Sequence, residues 1–126
     1  MTDSTDLLDL PSNAVARLQH LRGQPKFQAA PDESYTGVLD EQQRQHAEAV
    51  LNGLISDIEN GLLAHPTRRF VLDKFASALD RFQLIDTEDK EAACGYLEEI
   101  MDAVGLASSD GLLNGWLYGF DPTPAR

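Results

Sequence analysis

Residues 40–62, DEQQRQHAEAVLNGLISDIENGL, contain the strongest periodic pattern in the chain and decide its fold class. Asp40 and Gln43 form a capping-box-like pair at the start of this stretch, and Gly61 and Pro66 interrupt it. Its apolar residues recur at steps of three and four, as one face of an α-helix requires: Ala47, Val50, Leu51, Leu54, Ile55, Ile58 and Leu62. The stretch therefore predicts a long amphipathic helix with one buried face.

Similar patterns predict further helices on both sides of this one, and no segment alternates with the period of a strand. The expected bounds are Ser12 to Arg22, Thr67 to Phe82, Asp86 or Thr87 to Gly105, and Ser108 or Ser109 to Leu117. The sequence thus predicts an all-α single domain over residues 1–126, a bundle of four to five helices. Residues 1–11 are an acidic leader, residues 23–38 form a long loop after the first helix, and residues 121–126 form a flexible tail.

The second and third helices are joined by a short turn, so their apolar faces are expected to pack together. The expected contact joins Leu51, Leu54, Ile55 and Ile58 to Phe70, Phe75 and Leu79. The long loop is expected to attach to this body through Phe27, Tyr35 and Val38.

Composition excludes several classes of function. The chain has 126 residues and a net charge of −11, from 21 acidic and 10 basic residues, which argues against a nucleic-acid partner. No apolar run is long enough for a membrane span. One cysteine excludes an internal disulfide framework, and acidic residues occupy the place of a signal peptide's basic region. A cytoplasmic location is expected.

Candidate catalytic and metal-binding residues do not form a known pattern. His20, His46 and His65 are widely spaced and match no metal motif. Cys94 lies several residues into an acidic helix, where nothing lowers the pKa of its thiol, so we interpret it as a packing residue. The acids that begin at Asp86 do not follow the calcium-loop spacing. We therefore expect no metal, no cofactor and no enzymatic activity.

The most distinctive polar feature is the acidic fourth helix. Residues 86–110 contain eight acids and a single base, Lys90. At about 100° per residue, Glu91, Glu98 and Asp102 fall on one side of the helix, opposite its apolar face. This pattern is typical of a docking surface for a basic partner, and equally of an ordinary solvated helix face.

Aromatic residues are concentrated near the C-terminus, where residues 114–120 read NGWLYGF. Trp and Tyr are common at protein interfaces and equally common in the cores of small domains. Tyr118 and Phe120 are the candidates for partner contact, and Trp116 and its neighbours are expected to attach the last helix to the core.

Three stretches carry a family resemblance: DTEDKE at residues 86–91, CGYLEEIMD at residues 94–102 and SDGLLNGWLYGF at residues 109–120. They resemble a family of small bacterial all-helical proteins with no assigned activity. The resemblance implies a bacterial helical domain and supplies no catalytic residue. In size and charge alone, the chain is also similar to immunity proteins that neutralise toxic effectors.

The resulting hypothesis is a protein-binding module, of the immunity or antitoxin kind, that binds a basic protein effector through Glu91, Glu98, Asp102, Tyr118 and Phe120. Two alternatives remain open. One is a small-ligand-binding or enzymatic domain with a pocket between its helices. The other is a structural subunit that forms a homodimer through an exposed helix face.

Overall fold

The computed structural model describes residues 6–28, 37, 40–84 and 86–118. Within these ranges the chain forms five helices: α1 (Ala14–Gly23), α2 (Glu41–Gly61), α3 (Arg68–Arg81), α4 (Thr87–Val104) and α5 (Leu112–Tyr118). In this part of the chain the only β-type pairing is an isolated bridge between Leu7 and Thr67. The predicted all-α, single-domain class is therefore confirmed. None of these helices combines the length and the apolarity needed to cross a membrane.

Local sequence explains most helix ends. The carboxylate of Asp40 accepts hydrogen bonds from the backbone N–H groups of Gln42 and Gln43, and the hydroxyl of Thr67 accepts one from Phe70 N–H. These side chains satisfy backbone donors that the first turn of a helix leaves free. Asp86 is at the N-cap position of α4, as predicted, although its side chain makes no capping hydrogen bond.

The predicted Ser12 cap is wrong. Asn13, not Ser12, is at the N-cap position of α1, and its side chain makes no capping hydrogen bond. The reason is a turn just before the helix, in which Ala14 N–H donates to the carbonyl of Pro11. Ser12 lies inside this turn, one residue too early to cap the helix.

The helices enclose one core in a closed ring. Helix α2 packs between α1 and α3, α4 packs against α1, and α5 packs against both α3 and α4. The predicted buried face of α2 is confirmed, because Leu51, Leu54, Ile55 and Ile58 are each at most 2% exposed. On α3, Phe75 and Leu79 are buried as expected, whereas Phe70 is half-buried at the edge of the contact.

The end of the leader is part of the folded body. Leu8 is buried and its N–H donates to the carbonyl of Pro66. The leader also passes close to the end of α4, where Gly105 has a φ of +75°. A Cβ atom on Gly105 would lie 2.2 Å from the carbonyl oxygen of Asp9. Only glycine tolerates both the left-handed backbone and this approach.

The loop after α1 is attached by Phe27, as predicted. The Phe27 ring is fully buried against the rings of Phe82 and Tyr96. The backbone N–H of Phe27 donates a hydrogen bond to the Tyr96 hydroxyl. The other two expected attachment points, Tyr35 and Val38, lie outside the described residues, as does the predicted tail.

Candidate functional site

Helix α4 presents one continuous row of exposed positions to solvent. The row consists of Glu88, Glu91, Gly95, Glu98 and Asp102, spaced by three and four residues, and all five are exposed. It is about 21 Å long at 1.5 Å of rise per residue. We call its four carboxylates, Glu88, Glu91, Glu98 and Asp102, the acidic stripe. The structure thus brings the predicted Glu91, Glu98 and Asp102 together on one face.

The carboxylates of the acidic stripe have no basic partner within the described residues. The ion pairs in this part of the protein join Arg22 to Glu59, Arg44 to Glu41 and Glu48, and Arg68 to Asp110. None of them includes an acid of the stripe. Arg17 lies close to Asp102, where its guanidinium donates to the backbone carbonyl of that residue. No ion pair therefore neutralises the stripe within the described residues, and its negative potential extends into solvent.

Gly95 lies in the middle of the row and has no packing role inside the domain. A Cβ atom built on Gly95 would meet nothing within 4 Å. Glycine in the interior of a helix costs about 0.5–1 kcal/mol relative to alanine. The fold itself therefore does not require glycine here, and its effect is to leave the helix backbone open to close approach.

The predicted aromatic contacts divide between surface and core. Tyr118 is 56% exposed at the end of α5. Leu113 is buried and Trp116 is half-buried, with its ring centroid 5.7 Å from that of Phe82. The packing role expected for this helix is thus confirmed, and Tyr118 remains the exposed aromatic candidate. Phe120 lies outside the described residues.

Cys94 lies in the core, 7% exposed. Burial raises the pKa of its thiol to about 11, and the nearby Glu98 and Glu91 carboxylates act in the same direction. A reactive cysteine requires the opposite, an environment that favours the thiolate. The interpretation of Cys94 as a packing residue is therefore supported.

We expect Cys94 to react slowly with alkylating reagents in the folded protein. A thiol pKa of about 11 instead of 9.0 lowers the thiolate fraction at pH 8 by about 100-fold, and burial adds a steric barrier. The measurement is the rate of iodoacetamide modification at pH 8, with and without urea. If the modification rates with and without urea lie within tenfold of each other, the thiol is accessible in the folded protein and its pKa is not raised.

The histidines are dispersed and make local contacts. A ring nitrogen of His46 lies 2.9 Å from the carbonyl oxygen of Arg81, and one of His20 lies 3.3 Å from the side-chain nitrogen of Gln24. His65 packs its ring near that of Phe70. Over the described residues, no group of three His, Cys, Asp or Glu side chains is placed to hold a metal ion.

A groove between α1 and α4 was not predicted from the sequence. Its volume is about 580 Å³, and its lining residues are Ala16, Arg17, His20, Leu21, Gln24, Glu99 and Asp102. Four of these are ionisable, two from each helix. We call this feature the α1–α4 groove.

A small internal cavity of about 20 Å³ lies next to this groove. Leu21, Gln24 and Glu99 line both spaces, and the cavity adds Lys26, Ile55 and Tyr96. Lys26 is only 2% exposed, and its ammonium donates to the carbonyls of Arg22 and Gln24.

Burial lowers the pKa of Lys26, and the opposing effect of the Glu48 and Glu99 carboxylates is smaller. Burial also raises the pKa of Tyr96, whose oxygen accepts a hydrogen bond from Phe27 N–H. Two polar side chains are therefore held below the surface at the inner side of the groove.

A second groove, of about 640 Å³, lies between α2 and α3. Arg69, Lys74 and Arg81 line it, together with Asp57 and Asp73. Three of the four basic residues of α3 therefore line this groove.

Comparison with known proteins gives a family and no activity. None of the curated proteins matches the chain. The crystal structure of a DUF3571 family protein from Acinetobacter baumannii AYE matches with 31% sequence identity and a TM-score of 0.66, covering 86% of this chain and 90% of that one. The model of the family described as "Domain of unknown function (DUF4844)" matches residues 9–121. The chain therefore belongs to the DUF4844 family of domains of unknown function.

Proposed function

We propose that this protein is a protein-binding module whose acidic stripe binds a basic protein partner. The observation that carries the proposal is the row of exposed carboxylates on α4, none of which is ion-paired within the described part of the chain. Other acids of the domain, on α2 and before α5, do pair with neighbouring bases. The stripe is thus a charged surface that the fold itself does not use.

Such a surface acts mainly on the rate of association. Carboxylates in solvent are well hydrated, so each contributes little to the stability of the domain. Together they attract a basic surface over about a Debye length, roughly 8 Å at physiological salt. Complementary charge also disfavours acidic competitors, which gives specificity.

Gly95 supports the same surface, because it lets the partner approach the backbone of α4 between Glu91 and Glu98. We expect Gly95→Ala to stabilise the domain by about 0.5–1 kcal/mol, since alanine is the better helix former and nothing obstructs its methyl group. The same substitution should weaken partner binding. Urea unfolding and a binding titration measure the two effects.

Gly53 provides a matched control, because it lies within α2 and a Cβ atom there also meets nothing within 4 Å. Gly53→Ala should give a similar gain in stability with no change in binding. If both substitutions leave binding unchanged, the partner does not approach the backbone at Gly95.

The class of partner is part of the proposal. We infer that the protein is of the immunity or antitoxin-like kind. A protein of this kind is a small acidic domain that covers the site of a basic effector and carries out no catalysis of its own. A cytoplasmic location belongs to the same proposal, and the buried thiol of Cys94 is consistent with a reducing compartment.

The experiment is affinity capture from a bacterial host that encodes the protein, performed with the wild-type chain and with Glu91→Lys/Glu98→Lys/Asp102→Lys. Supporting evidence is a basic protein that is retained by the wild-type chain and lost with the triple variant. Retention of only a second copy of this chain would favour the homodimer instead, and equal retention by both chains would contradict the role of the stripe.

A further inference from the structure

The α1–α4 groove carries charges of both signs that face one space without pairing. Arg17 and His20 come from α1, and Glu99 and Asp102 come from α4. The Arg17 guanidinium donates to the backbone carbonyl of Asp102 at 3.2 Å, not to its carboxylate. No ion pair within the described residues joins any of these four side chains. Opposite charges are thus held apart across a groove wide enough for a small molecule.

The internal cavity adds hydrogen-bond donors at the inner side of the groove. The ammonium of Lys26 has three protons, and two of them point to the carbonyls of Arg22 and Gln24. The Tyr96 oxygen accepts a hydrogen bond from Phe27, which leaves its own proton free to donate. A cavity of about 20 Å³ has room for about one oxygen atom. It is therefore suited to one oxygen of a ligand that extends inward from the groove.

The backbone beside Lys26 is held in an unusual conformation. Phe27 has a φ of +60°, which is uncommon for a residue with a Cβ atom. Its buried ring and its hydrogen bond to Tyr96 maintain this conformation. Strain of this kind occurs often at ligand sites. Here it lies directly beside Lys26, which is 2% exposed.

We propose that the α1–α4 groove binds a small zwitterion of the α-amino acid class. The ligand carboxylate faces Arg17 and His20, with one oxygen directed to Lys26 and Tyr96, and the ligand ammonium faces Glu99 and Asp102. The volume of about 580 Å³ lies within the usual range for small-molecule sites. A simple anion would meet two carboxylates that form no ion pair within the described residues, and a simple cation would meet Arg17 and Lys26. A zwitterion satisfies both sets.

The probes are the standard L-amino acids, each titrated singly into the full chain by isothermal calorimetry. Acetate and methylammonium serve as controls that carry only one of the two charges. We expect saturable binding of at least one amino acid and at least tenfold weaker binding of both controls. Absence of binding for every amino acid at millimolar concentration, or acetate binding as tightly, would overturn the proposal.

Matched substitutions test whether binding takes place in this groove. Arg17→Gln and Glu99→Gln each remove one charge from it and should each weaken binding by at least tenfold. Arg81→Gln and Glu91→Gln remove the same charges elsewhere, on α3 and on the acidic stripe, and should leave binding unchanged. Equal losses from both pairs would contradict the assignment.

Helical content from circular dichroism verifies that all four variants fold. Asp102 belongs to both the acidic stripe and the groove, whereas Arg17 and Glu99 line only the groove and Glu91 and Glu98 belong only to the stripe. The single substitutions at Arg17, Glu99 and Glu91 therefore test the two surfaces separately. Failure of one proposal therefore leaves the other standing.

Discussion

Replacing Leu54 by alanine should lower the free energy of unfolding by about 2–5 kcal/mol, the usual cost of deleting a large side chain from a packed core. Leu54 is 2% exposed and lies on the face of α2 that packs against α3. Its removal leaves a void in the core, because close-packed side chains around a buried position can relax only in part. Urea unfolding followed by circular dichroism measures the loss.

Leu63 provides the matched control for this substitution. It is the second residue after α2 and is 77% exposed, so Leu63→Ala removes the same atoms from a solvated position. We expect the free energy of unfolding to change by no more than about 0.5 kcal/mol. A loss below about 0.5 kcal/mol for Leu54→Ala as well would mean that the contact between α2 and α3 lies on another face.

The sequence was sufficient to predict the architecture because its helices are amphipathic with clear ends. Spacing alone identified the buried face of α2, and Asp40, Thr67 and Gly105 mark ends that the structure confirms. The failure at Ser12 is local, because choosing between Ser12 and Asn13 depends on the turn that Pro11 begins. Capping preference does not distinguish adjacent polar residues when the backbone before them is unknown.

The acidic stripe could be predicted because a single helix contains all its residues, so helical spacing alone places them on one face. The α1–α4 groove could not, because Arg17 and Glu99 are 82 positions apart in the sequence and only tertiary packing places them together. The burial of Lys26 could not be predicted either, because a lysine in a loop is normally exposed. In the folded protein the Lys26 ammonium donates to the carbonyls of Arg22 and Gln24, and no short-range pattern encodes these contacts.

The second large effect concerns association of the stripe with its basic partner. Reversing Glu91, Glu98 and Asp102 to lysine changes the net charge by +6, from −11 to −5, and makes this face of α4 repulsive to a basic surface. Binding should weaken by at least about tenfold at low salt, mostly through a slower association rate. Stability should change little, because the three side chains are exposed and are not ion-paired within the described residues.

The control must change the net charge equally at another surface. Acids of the leader are unsuitable, because the carboxylate of Asp6 accepts a hydrogen bond from Arg69 N–H at the start of α3. Asp57, Asp73 and Asp80 are better, since all three are exposed, lie on α2 and α3, and take part in no ion pair of the described chain. Reversing them to lysine also changes the net charge by +6.

The most direct test of the acidic stripe as the partner surface is the association rate of the captured partner with these two triple variants, measured by stopped flow over a range of salt concentrations. Reversal of the acidic stripe should slow association at least tenfold at low salt. The difference between this rate and the wild-type rate should narrow as salt rises. The control variant should associate at close to the wild-type rate. Equal slowing in both variants would mean that only the total charge matters, and wild-type rates in both would show that the carboxylates of α4 are an ordinary solvated face.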